Sequence, residues 1–96
     1  MYYNIPHGKY GQTFEEISIL FPFSLTGTTI KILLHPTEEE YTIANGKLQI
    51  DPSESKRLKI LSHSITLKPM RYKYELIITR SGETKTYIKG NFNINV

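Results

Sequence analysis

The sequence predicts an all-β fold, an antiparallel β-sandwich, from three observations. The chain is rich in β-formers and poor in helix-formers, with 13 Ile, 10 Thr, 7 Tyr and 4 Phe against a single Ala. Alternation of apolar and polar residues at period two recurs along it, most clearly over the last 11 residues, Thr86 to Val96. Turn signals then divide the chain every ~8–12 residues, the spacing of a sandwich or small barrel. At 96 residues it holds one domain. A chain of this size buries only about 60–65% of its unfolded surface, so assembly with other chains would add needed stability.

Residues 1–13 read as an extended arm ahead of a single domain spanning 14–96. Pro6, Gly8 and Gly11 interrupt regular structure, while Tyr2, Tyr3 and Tyr10 make the segment too aromatic for an ordinary tail. These three tyrosines are the candidate partner-binding residues, packing on a neighbouring protein. The first strand runs from Phe14 to Phe23, with Ile17, Ile19 and Phe21 on one face and Pro22 limiting it. The second, Thr28 to Leu34, turns Ile30, Ile32 and Leu34 inward. His35-Pro36-Thr37 and Glu38–Glu40 form a solvated loop. Tyr41-Thr42-Ile43 and Lys47-Leu48-Gln49-Ile50 flank Asn45-Gly46, a strong hairpin signal.

Asp51 to Ser55 makes a turn in which Ser53 is a possible cap. Leu58 with Ile60, and Ile65 with Leu67, alternate with polar neighbours. Tyr72, Tyr74, Leu76 and Ile78 form the next inward row. After the Ser81-Gly82 turn, the last inward row is Thr86, Ile88, Gly90, Phe92, Ile94 and Val96. Gly90, between Ile88 and Phe92, would admit a bulky aromatic from a facing sheet or mark a bulge. The predicted core is Ile30, Ile32, Tyr74, Leu76, Ile88 and Phe92, in an immunoglobulin-like arrangement of about seven short strands. Asn91, Asn93 and Asn95 face outward and leave the terminal strand weakly protected against edge pairing.

The chemistry-bearing residues are sparse. Without cysteine, disulfides and thiolate metal sites are excluded. His7, His35 and His63 stand apart, at no metal-ligand spacing and beside no nucleophile. Glu15-Glu16 and Glu38–Glu40 are adjacent in sequence and diverge in strands or loops, which suits solvent better than paired acid–base work. Asp51 is the only aspartate, and no glycine-rich phosphate loop precedes a helix. The reading is therefore non-enzymatic, with no cofactor. No apolar run approaches the ~18 residues of a membrane span, so no membrane partner is expected.

Charge is polarised. Residues 1–46 hold two lysines against five glutamates, net −3, and residues 47–96 hold ten Lys or Arg against four acids, net +6. Such a chain suits head-to-tail contact with copies of itself or docking on an acidic partner. The alternative is a single-stranded nucleic-acid-binding barrel using Lys56, Arg57, Lys59, Arg71 and Lys73. Alternation sends Arg71 and Lys73 to one face and Tyr72 and Tyr74 to the other, whereas a stacking platform needs cations and aromatics together. Nucleic acid is thus the weaker reading.

The carboxy-terminal half resembles small β-sandwich virion proteins of tailed bacteriophages. The likeness rests on the string Leu67 to Leu76, on Ser81-Gly82, and on the string Lys85 to Ile94, in that order and spacing. Leu25-Thr26-Gly27 followed by Ile30 and Ile32 is similar to an upstream stretch of such proteins. Met70 and Glu75 stand where the family often has Gly and Asp. The resemblance implies a structural subunit of a tail, baseplate or head, the last as a capsid accessory or decoration protein. It further implies other virion proteins as partners, and a virion location after synthesis in the host bacterial cytoplasm. It carries over no catalytic residue.

Overall fold

The computed structural model describes residues 3–95, and these are all-β, with ten strands and no helix. Five strands form a curled, mixed sheet in the order β1(Ile5–Lys9), β10(Glu83–Asn95), β9(Met70–Arg80), β4(Thr29–His35), β5(Glu39–Thr42). Three more form a second sheet in the order β3(Ile17–Leu20), β7(Arg57–Ile60), β6(Leu48–Ile50). The short pair β2(Thr13–Phe14) and β8(His63–Ser64) closes one end. Buried residues from all three groups belong to one continuous core.

The period-two rows explain the core directly. On β4, Ile30, Ile32 and Leu34 are buried. On β9 the buried row is Tyr72, Tyr74, Leu76 and Ile78, and on β10 it includes Ile88, Phe92 and Ile94. Leu58 and Ile60 cover this layer from β7. All six residues expected in the core are buried. The long β9–β10 hairpin turns at Ser81 and Gly82, with φ of 50° and 81°, the left-handed pair that suits the right-handed twist of the strands.

The amino-terminal segment differs from the expected arm. Ile5–Lys9 is a strand of the domain, lying parallel to β10 with Ile5 opposite Phe92 and Lys9 opposite Asn95. Ile5 is only 6% exposed and sits in the core. The physical reason is that β10 offers an edge whose inward row needs covering, and Ile5 is the apolar residue within reach. The sheet is consequently mixed rather than wholly antiparallel. It also follows that Asn91, Asn93 and Asn95 lie on an inner strand over this stretch, not on an open edge.

Four further expectations are corrected. The predicted first strand is split into β2 and β3, with Phe21 held by one backbone bond to Lys56 (2.8 Å). Asn45-Gly46 does not close a hairpin: β5 and β6 belong to different sheets, so the turn carries the chain across the core. The capping side chain of the next turn is Asp51, whose Oδ1 accepts from the Ser53 amide (2.9 Å) and hydroxyl (2.8 Å). Finally, a bulge between Thr86 and Ile88 shifts the register of β10 against β9. Thr86 is exposed as a result, and Tyr87 packs against Phe21 and Phe23.

Candidate protein-contact surface

The strongest candidate surface is built around β1. Tyr3 and Tyr10 flank this strand and are 44% and 57% exposed, while their backbones are bound to the domain. The Tyr3 amide donates to the Lys89 carbonyl (2.9 Å), and the Tyr10 amide to the Asn95 carbonyl (3.0 Å). The Tyr74 hydroxyl donates to the Tyr3 carbonyl. Asn4 Oδ1 accepts from the Asn91 amide (3.1 Å). Two aromatic rings are thus held outward from a fixed strand. Such rings supply contact area at small entropic cost, since little remains to be ordered on binding. Tyr2, the third tyrosine of the set, and the side chain of His7 lie outside the described residues.

The five basic candidates do not converge. Lys59 and Arg57 lie on the outward row of β7, with Lys56 exposed just before it. Arg71 and Lys73 lie on the outward row of β9 in the other sheet. Both rows face away from the shared core. Arg57 is further occupied, with Nη1 3.3 Å from Asp51 Oδ2. The Ser53 amide and hydroxyl, then the Arg57 guanidinium, hold the Asp51 carboxyl below the usual carboxylate range.

The histidines serve different environments. His35 Nε2 lies 2.9 Å from Glu75 Oε2 on the outer face of the larger sheet, beside a shallow cleft lined by Lys73, Lys89 and Asn91. His63 stacks on Phe14 with ring centroids 5.0 Å apart and meets Tyr41 edge-on at 5.2 Å. Its Nδ1 is 2.8 Å from the Leu61 carbonyl and its Nε2 3.3 Å from the Tyr41 hydroxyl. Burial lowers the His63 pKa from 6.5, and burial raises that of Tyr41. Among the described residues no three His, Asp or Glu side chains group as metal ligands, and no buried side-chain polar atom lacks a partner. Glu15 and Glu16 line an open cleft with Gly8, Phe14 and Ile65, with no histidine among its lining residues.

Two structural roles had weak sequence signals, one beside β1 and one at the opposite edge of the larger sheet. Asn4 is one polar residue in an irregular stretch, and its bond spans 87 positions. Asn45 reads as a turn residue, yet its amide also seals the edge of β5. Its Oδ1 accepts from the Thr42 amide (3.0 Å) and its Nδ2 donates to the Glu40 carbonyl (2.9 Å). No protein-family model, curated protein or solved structure matches the chain.

Proposed function

We propose that the protein is a non-enzymatic structural subunit of a tailed-bacteriophage virion, acting through protein–protein contacts, and that its two sheets form an immunoglobulin-like sandwich. The observation that carries the assembly reading is the pair of exposed rings, Tyr3 and Tyr10, flanking a strand and held to the domain by their own backbone bonds. Exposed aromatics on a rigid support are the residues most enriched as binding hot spots. The polarised charge and the resemblance of residues 67–94 to small virion proteins support the same reading.

The test is particle assembly. Tyr3→Ala/Tyr10→Ala should keep the melting temperature within a few degrees and remove the protein from purified particles. Normal incorporation of this double variant would refute the tyrosine surface. Binding of single-stranded DNA that falls steeply with salt and is lost on Arg71→Ala/Lys73→Ala would favour the nucleic-acid alternative instead.

A further inference from the structure

The four outer strands of the two sheets are not equally protected. The β5 edge is sealed by the Asn45 amide and carries Glu39 and Glu40. The β1 edge contains Pro6, which has no amide proton to offer. The β6 edge is only three residues long. These are the usual ways of blunting an edge. Strand β3, Ile17-Ser18-Ile19-Leu20, has none of them. It is uncharged and regular, and Leu20 is 62% exposed, more than any other large hydrophobic described.

The hydrogen-bond pattern shows which groups are left over. Phe21 donates to Lys56, one step beyond the Leu20–Arg57 pair in the β3–β7 register. Residues alternate in an antiparallel ladder, so Ile17 and Ile19 bond to β7 while Ser18 and Leu20 turn their amides and carbonyls away. The Arg57 carbonyl confirms the alternation, since it accepts from Asp51 on the β6 side (2.9 Å). Among the described residues, no backbone group bonds to Ser18 or Leu20 on the free side.

We infer that the β3 edge pairs with the β3 edge of a second copy of this chain, antiparallel about a two-fold axis through Ile19, joining two three-stranded sheets into one of six. The register follows from three constraints. Opposed residues must share a face, so the axis passes through a residue, and only an axis through Ser18 or Ile19 keeps three residues of the strand paired. An axis through Ser18 sets exposed Leu20 against Glu16. An axis through Ile19 sets Leu20 beside Ser18 of the second copy, and these are the residues whose backbone groups are free. On the inner face it brings half-buried Ile17 to Phe21 of the second copy and covers Ile19 with its twin. The acidic start of each strand, Glu15 and Glu16, comes beside the turn of the other that holds both Lys56 and Glu54, so charge does not choose the register. A two-fold contact is self-complementary and closes, unlike a head-to-tail one. This contact uses residues other than Tyr3 and Tyr10, although β1 and the start of β3 adjoin at the cleft lined by Gly8, Glu16 and Ile17, so the two are tested by different substitutions.

Sedimentation equilibrium of the full chain over a wide concentration range tests the inference. The protein should dimerise. Ser18→Lys/Leu20→Lys places like charges opposite each other in both rows and should weaken the dimer about tenfold or more. Ser18→Lys/Leu20→Glu places opposite charges across the same rows and should restore it. The chain has no cysteine, so Ile19→Cys introduces one thiol. That thiol meets its twin at a non-hydrogen-bonded pair, where Cα separations suit a disulfide, and should cross-link faster than Ser18→Cys. A chain that stays monomeric at every concentration overturns the proposal. So does a Lys/Glu variant no tighter than the Lys/Lys variant, or equal cross-linking at both positions. A monomeric chain that still needs Tyr3 and Tyr10 for particle incorporation would refute this contact and leave the proposed function standing.

Discussion

A side chain on Gly90 would have no room, because its Cβ would lie 1.9 Å from the carbonyl oxygen of Tyr3. The carbonyl carbon of Tyr3 would be only 2.7 Å away. These are backbone atoms, which cannot rotate aside as a flexible side chain could. Gly90 is directly opposite Tyr74, whose hydroxyl binds that same Tyr3 carbonyl. The glycine therefore makes the slot and the tyrosine holds the occupant. Gly90→Ala should displace the start of β1 and cost about 1–3 kcal/mol. Hydrogen exchange should show faster loss of protection at the Tyr3 and Asn91 amides than in β4 or β9. Unchanged protection there would mean that β1 is not seated by this contact.

Phe92 is fully buried, opposite Ile5 and Tyr72, with its ring edge-on to Phe14 at 5.6 Å. Phe92→Ala should cost about 3–5 kcal/mol in urea unfolding, from lost burial and the cavity left behind. That is a large share of the ~5–15 kcal/mol available to a domain. A cost under about 1 kcal/mol would contradict this packing.

Acid should weaken the fold through His63. Burial favours the neutral imidazole in the native state, so the unfolded chain binds the proton more tightly. The stabilisation is complete above the ordinary histidine value of 6.5 and is lost as pH falls through the lower native value. The Asp51 carboxyl works in a separate window, since its native pKa lies below 3.8. Its stabilisation is present above that value and lost only in stronger acid. The melting temperature should therefore decline as pH falls below about 6.5, and His63→Gln should flatten the first part of that decline. An unaltered slope in the variant would assign the loss to other groups.

Asn45 occupies the place a neighbouring strand would take beside Thr42 and Glu40. Asn45→Ala leaves both backbone groups to water and opens the β5 edge. The expected cost is about 1–3 kcal/mol, from two hydrogen bonds each worth roughly 0.5–1.5 kcal/mol net of water. Light scattering should also show more self-association than for the native chain. A variant as stable and as dispersed as the native chain would show that the amide bonds do not seal the edge.

The all-β character and the inward rows of β4, β9 and the latter part of β10 are legible in the chain alone. Period-two alternation is a local property, imposed by the pleat, and a single strand displays it. It could not determine what lies beside each strand. Ile5 is one apolar residue in a segment broken by Pro6 and Gly8, and only the uncovered edge of β10 makes it a core residue. Gly90 reads as a gap in an apolar row, but the backbone that fills the gap comes from residues at the other end of the chain. Asn45-Gly46 has the local chemistry of a hairpin, yet β4 and β7 claim the two flanking strands for different sheets. The bulge at Tyr87 reverses which residue faces inward, and no alternation pattern announces an extra residue. The candidate surface follows the same division. Tyr3 and Tyr10 stood out by composition, while their fixed presentation depends on pairing between residues more than 80 positions apart, which only the tertiary structure supplies.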